Sequence, residues 1–467
     1  MHNRVRSVED GSERIGKSGA RNNDFLLLAV LAPLAGAGAG LICAGFRLAL
    51  EVADRARGSL IGWSYQWQIA GFLLVVAAAA ASVAAAAWLV RRFAPCASGS
   101  GIPHVEAALL GEVRPATPVL IPVKFLGGLL AIGAGLALGR EGPCVQMGAA
   151  IAHRLGGLSR CSIADSRILL AAGAGAGLAA AFNAPIAGAV FVLEELVRRF
   201  DTRITVAALG ASAAAIAVVR AILGNAPDFH VAAVGYQSSG MLPLYALLGA
   251  IAGVAGMAYT RAILGLMSLD ERFASFPVEV RAALIGAAVG TAAWFLPDLV
   301  GGGDPITQAT LSGDAGILFL SAAFLFRFGL GGVSYAAAVP GGLFAPILTL
   351  GAQLGLIFGQ LCVLALPGFG IEPTAFAVVG MAAFFIGVVQ APVTGIVLVI
   401  EMTASFTMLL PMLAAGTAAM LLPVLLRNTP IYDALRERAA RHTPTNAADS
   451  AWNKERNGQS DRGPPVL

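Results

Sequence analysis

Three short segments place reactive or ligand-binding groups where the surrounding chain offers almost none. Glu141 stands in Gly139-Arg140-Glu141-Gly142-Pro143, directly after Phe125–Leu138, a stretch without charge. An ionisable group in lipid-like surroundings is costly unless it faces a cavity or performs a task, so Glu141 is a functional candidate by default. Gly99-Ser100-Gly101-Ile102-Pro103 and Gly341-Gly342-Leu343-Phe344-Ala345-Pro346 share its make-up. Their glycines let backbone N–H groups approach a ligand, and their prolines suit the first turn of a helix. A loop feeding a helix N-terminus is an anion site, because unpaired N–H groups and the positive end of the helix dipole aim the same way. An anion held by such partial charges, rather than by Lys or Arg, binds firmly enough to enter and loosely enough to leave. For one loop alone, a Gly/Pro break used for packing would explain as much; three in one chain favour a ligand.

The elements that must carry these loops are membrane helices. The 467 residues are 57% hydrophobic and 12% charged, with a mean hydropathy of +0.77, which excludes a soluble globular protein. Ile168–Leu193 and Pro373–Ile400 contain no Asp, Glu, Lys, Arg or His, and each exceeds the roughly 20 apolar residues a span needs. Further spans begin near Phe25, Ala70, Ile204, Leu242, Ala282, Ile317 and Leu409, so an all-α, polytopic integral membrane protein with ten or more membrane segments is expected. Gly36/Gly40 and Gly173/Gly177 have the spacing that lets membrane helices approach closely. The 24 prolines imply helices that break or start inside the bilayer, tolerated only where backbone is buried or lines a cavity. That favours a transporter or channel over a receptor with simple spans.

Other chemistries find little support. The five cysteines show no paired spacing, so neither a disulfide framework nor a metal site is expected. No HExxH, GxSxG or intramembrane aspartate pair is present, which makes an intramembrane enzyme a distant alternative. Nothing points to nucleic acid or to an organic cofactor. Residues 1–24 are polar and precede an apolar run too long for a removable signal. Basic residues in that tail and in 433–467 place both ends in the cytoplasm by the positive-inside rule. Neither tail is expected to hold a folded domain.

The chain echoes itself. Ala184-Pro185-Ile186-Ala187-Gly188 followed by Glu194 recurs as Ala391-Pro392-Val393-Thr394-Gly395 followed by Glu401. Pro143 and Gly148 align with Pro346 and Gly351, Lys124-Phe125 with Arg327-Phe328, and Gly101-Ile102-Pro103 with Gly303-Asp304-Pro305. The order is the same in both halves, the mark of a repeat-built transporter whose interrupted helices meet near the midplane. The halves are taken as 25–224 and 241–432, joined by a polar linker at 225–240, all within a membrane domain of 25–432.

With GSGIP, GREGP and GxFxP in this order, the chain from about Phe25 to Ala434 resembles the CLC family of chloride channels and proton-coupled chloride antiporters. The resemblance implies two inverted half-repeats around a mid-membrane anion site, and a homodimer with one ion path per subunit. It implies that the Ser100 hydroxyl, the backbone N–H groups of Leu343 and Phe344, and the hydroxyl of Tyr432 bind chloride. Tyr432 on its own reads as an interfacial aromatic. Glu141 matches the gating glutamate: ionised, it can occupy a site built for chloride, and a proton releases it, which couples the two fluxes. Glu195 matches the internal proton-transfer glutamate, although alone it reads as a solvated carboxylate beside Arg198 and Arg199. Glu194, with its repeat mate Glu401, reads as structural, and Arg140 as a structural or potential-setting cation.

The expected function is therefore chloride/proton antiport in the cell (inner) membrane. A passive voltage- or pH-gated chloride channel of the same fold is the alternative, and fluoride export ranks third. His104, Cys144 and Ala337-Ala338-Val339 depart from frequent family residues. The last of these borders a loop near the ion path. The segment after Tyr432 is too short for the paired nucleotide-binding modules of larger members, so adenine nucleotides are not expected to regulate it.

Overall fold

The computed structural model describes residues 2–231 and 239–442, with side chains from Phe25 onward. The helices are α1 (His2–Ser64), α2 (Gln68–Phe93), α3 (Ile102–Leu110), α4 (Leu120–Gly133), α5 (Glu141–Leu158), α6 (Ile163–Phe182), α7 (Pro185–Phe191) and α8 (Thr202–Leu223). They continue as α9 (Leu242–Glu271), α10 (Val278–Phe295), α11 (Asp304–Leu311), α12 (Ile317–Ala336), α13 (Phe344–Ala365), α14 (Pro373–Val389), α15 (Pro392–Thr403), α16 (Leu409–Leu425) and α17 (Ile431–His442). Among the described residues, backbone pairing between extended segments is confined to isolated loop bridges.

The two uncharged runs Ile168–Leu193 and Pro373–Ile400 are not single spans. Ile168–Leu193 is cut between α6 and α7 at Asn183, whose φ is 50°, and Pro373–Ile400 between α14 and α15 at Gln390, whose φ is 63°. Each left-handed residue ends one helix, and the Ala-Pro pair that follows starts the next: a residue before proline avoids helical geometry, and proline suits a first turn. By length and composition eight stretches among the described residues can cross a membrane. That is fewer than the ten or more expected, because breaks leave Leu120–Gly133, Pro373–Val389 and Pro392–Thr403 short, and because Phe25–Phe93, counted once, holds two helices.

The halves repeat in structure as they do in sequence. Helix α1 packs on α8 as α9 packs on α16, and α5 on α6 as α13 on α14. Gly148 meets the backbone of Gly173, and Gly351 that of Gly380, so closely that a Cβ would overlap a carbonyl oxygen. Gly36 and Gly40 bring α1 against Ala211 and Ala215 of α8 in the same way, as small-residue spacing predicts. The Ala-Pro-x-x-Gly helices cap one another. Glu194 accepts hydrogen bonds from Val393 N (2.9 Å) and Thr394 N (2.6 Å) at the start of α15. Glu401 accepts from Ile186 N (3.1 Å) and Ala187 N (2.8 Å) at the start of α7. Such reciprocal contact is what a twofold relation produces, and a carboxylate at a helix N-terminus is stabilised by both the N–H groups and the dipole.

Candidate anion and proton site

The three Gly/Pro loops meet in one backbone junction. Gly99 N–H donates to Val339 O (3.1 Å) and Gly341 N–H to Gly99 O (3.1 Å); Gly139 and Gly342 exchange two bonds of 2.9 and 2.7 Å. The segment around Pro340 thus lies between the other two loops. Glycine is required where they touch: Gly101 has φ 86°, and a Cβ on Gly142 would come within 2.6 Å of Ser100 Oγ. Ala338, in the departing Ala337-Ala338-Val339 stretch, also takes a left-handed conformation (φ 54°). Buried Lys124 spends its charge on this framework, donating to Ala97 O (3.0 Å) and Gly99 O (2.8 Å).

Each loop delivers a helix start. Ile102 and Pro103 open α3, Glu141 to Pro143 open α5, and Phe344 to Pro346 open α13. Glu141 is fully buried, and its carboxylate lies between Gly139 and Gly342, where a side chain on either would collide with it. Its Oε1 accepts a 2.6 Å bond from Phe344 N–H, while Oε2 has no hydrogen-bond partner among the described residues. The carboxylate therefore sits at the N-terminus of α13, a position suited to an anion. Leu343, also buried, directly precedes that turn.

Two hydroxyls complete this region. Ser100 and Tyr432 are fully buried, and neither Ser100 Oγ nor Tyr432 Oη has a hydrogen-bond partner among the described residues. Buried hydroxyls are normally paired, so these two mark a place for a polar ligand. The Ser100 backbone is held separately, by N–H donation to Tyr335 Oη (3.3 Å). The Tyr432 ring lies 5.7 Å from that of Phe344, which also meets Phe385 (4.8 Å), Phe191 (5.8 Å) and Phe182 (6.2 Å). These rings exclude water and so strengthen electrostatic interactions at the α13 start.

Glu195 belongs to the π-turn Val192–Leu196 that ends α7. The reading of it as a solvated carboxylate fails: it is 4% exposed, Oε1 has no hydrogen-bond partner, and Arg198 Nη2 is 3.8 Å away. Helix α17 reaches it through Arg198. Asp433 binds Arg198 (2.9 Å) and Arg436 (3.2 Å), and Arg436 approaches buried Glu106 of α3 (3.8 Å). Glu106 escaped the sequence reading because it stands in an ordinary helical context three residues past GSGIP. His104, beside it, is half-buried.

On the side of the junction where Arg140 projects, a cavity of about 210 Å³ is lined by Arg47, Glu51, Asp54, Arg140, Asp228 and Asp304, among others, and reaches Gly139 and Ala345. Arg140 donates to Ala181 O (3.0 Å) and Asp304 Oδ2 (2.6 Å), and Asp228 Oδ2 is 3.4 Å away. Asp228 also binds Arg47 at 2.7 Å. The stretch read as a linker thus contributes a carboxylate to the mouth, and Phe229 N–H of the same stretch donates to Met402 O (3.0 Å).

This arrangement has known counterparts. Residues 82–423 match the family described as voltage gated chloride channel. The chain is 37% identical over 428 residues to the H(+)/Cl(-) exchange transporter ClcA of Vibrio cholerae serotype O1, covering 88% of this chain and 89% of that protein. Identity to the exchange transporter of the same name from Vibrio campbellii is 34% over 456 residues, 96% of each. A slow cyanobacterial Cl-/H+ antiporter superposes with a TM-score of 0.85 at 31% identity, covering 89% of this chain and 98% of that one. The match spans the loop junction, both half-repeats and the helices that hold them, and the chain is a multi-pass membrane protein of the voltage gated chloride channel (CLC) family.

Proposed function

We propose that this protein exchanges chloride for protons across the cell (inner) membrane, with Glu141 as the group for which both ions compete. The observation that carries the reading is the Glu141 carboxylate on Phe344 N–H: a side-chain anion occupies a helix start suited to a free one. Ionised, it blocks chloride; protonated, it loses its attraction to the N–H groups and leaves. Ser100 Oγ and Tyr432 Oη, both without protein partners, then join the backbone N–H groups of Leu343 and Phe344 around the transported chloride. Glu195 carries protons between the cytoplasm and Glu141, a role supported by its burial and by an oxygen that accepts no hydrogen bond among the described residues. The names of the relatives, exchange transporter and antiporter, agree with this assignment.

The transporting unit spans 25–432, both chain ends lie in the cytoplasm, and two copies associate with one ion path each. A passive channel needs no internal proton carrier, so buried Glu195 favours exchange. The test uses purified protein in liposomes with a chloride gradient, no pH gradient and a potential set by potassium and valinomycin. Chloride-driven proton movement against its own gradient is expected; chloride flux without it would establish a channel. Glu141→Ala is expected to abolish proton movement and keep chloride flux. Glu195→Gln is expected to cut proton coupling while chloride still binds, and parent-like proton transport in either variant would remove its assigned role.

A further inference from the structure

Arg140 immediately precedes Glu141, and a free guanidinium there would be the strongest available partner for that carboxylate. Carboxylate–guanidinium pairs form short, charge-assisted bonds, and their attraction grows where water is scarce. A Glu141 captured by its neighbour would stay ionised and away from α13 whatever the chloride or proton concentration. The structure prevents this. The Arg140 fork is engaged elsewhere: Nε is bound to Ala181 O at 3.0 Å and Nη1 to Asp304 Oδ2 at 2.6 Å, with Asp228 Oδ2 3.4 Å from Nη2. Asp228, 4% exposed in its side chain, is itself fixed by Arg47 at 2.7 Å. The two carboxylates come from different parts of the chain, Asp304 from the start of α11 in the second half-repeat and Asp228 from the stretch between the halves. The remaining charged groups of the mouth, Glu51 and Asp54, belong to α1, and each has an arginine of that helix within reach: Arg47 at 3.4 Å and Arg57 at 2.6 Å.

We propose that Asp304 and Asp228 are positioning residues for the gate, which act by immobilising Arg140 so that Glu141 answers to chloride and protons alone. An acidic residue opening a helix has a simpler use, since it complements the dipole. That use would not require Asp304 to reach a guanidinium of the other half-repeat. The inference rests on the antiport reading above.

The test is Asp304→Asn in liposomes, read as protons moved per chloride and as the dependence of exchange on external pH. Asp304 is partly exposed, at 39% of its side chain, and the change is isosteric. A freed Arg140 favours ionised Glu141, so activation by external acid is expected to shift toward lower pH by about one unit, the least a nearby opposite charge gives. Protons per chloride are expected to fall. Arg140→Gln combined with Asp304→Asn is expected to return the pH profile toward that of Arg140→Gln alone. A shift that persists in the double variant would instead be a direct field effect of Asp304 and would overturn the clamp. Asp304→Glu, which can keep the pair, is expected to resemble the parent. If Asp304→Asn does not fold, Asp228→Asn removes the other arm under the same readouts. Parent-like coupling and pH profile in a folded variant would refute the inference while leaving antiport intact. Failure of the parent to move protons would instead refute the antiport reading.

Discussion

Ser100 and Tyr432 bury hydroxyls that no protein group satisfies, which separates their contribution to binding from their contribution to folding. Truncating a hydroxyl normally costs stability because its partner is left unpaired; here no partner exists. Ser100→Ala and Tyr432→Phe are therefore expected to leave thermal unfolding in detergent unchanged. Each should weaken chloride binding, measured by titration calorimetry, by about 10- to 100-fold, the effect of losing one hydrogen bond to a charged group at about 1.5–3 kcal/mol. Unchanged affinity with lowered stability would contradict the placement. At this scale the sequence was uneven. Glu141 stood out because a carboxylate follows a charge-free stretch, whereas Tyr432 was found only through family likeness. Asp304 and Asp228 were illegible, since their partner Arg140 lies 164 and 88 residues away and nothing local marks the pairing.

The helices show where reading apolar length misleads. Hydropathy reports whether a segment tolerates lipid, not whether its backbone continues, so Ile168–Leu193 and Pro373–Ile400 read as spans although Asn183 and Gln390 break them. The signal lies in the Ala-Pro pairs, which also mark the repeat. Glu194 and Glu401 are repeat mates, and their use as caps on each other's half follows from the breaks: a helix start inside the membrane needs an acceptor. Glu401→Ala removes both acceptors of the α7 start and is expected to cost about 1 kcal/mol, as a lost N-cap does. Because α7 leads into the Glu195 turn, the variant should also lower proton coupling more than chloride flux. Guanidinium denaturation and the liposome assay give the two readouts; equal loss of both fluxes would mean that the cap holds the whole fold and not the turn.

Across the whole molecule, one device is used twice for different ends. Each half buries a cation on the carbonyls of the loop ahead of a left-handed glycine. Lys124 binds Ala97 O and Gly99 O before Gly101, and Arg327 binds Gly301 O (2.7 Å) and Leu299 O (3.3 Å) before Gly303. Removing either takes the donor from buried loop carbonyls, although Gly99 O keeps the Gly341 N–H, at about 1–3 kcal/mol for a buried group left unpaired, so Lys124→Met and Arg327→Met should destabilise comparably. Their functional effects should differ, because the loops have diverged in what they carry. The Lys124 loop presents Ser100, so its loss should weaken chloride binding. The Arg327 loop presents Asp304, the partner of Arg140, so its loss should leave chloride affinity near that of the parent and move the external pH profile as Asp304→Asn does. Chloride titration and external-pH profiles of both variants decide this. If both lose chloride affinity alike, the two loops act as one rigid junction, and the division of labour between the half-repeats would have to be abandoned.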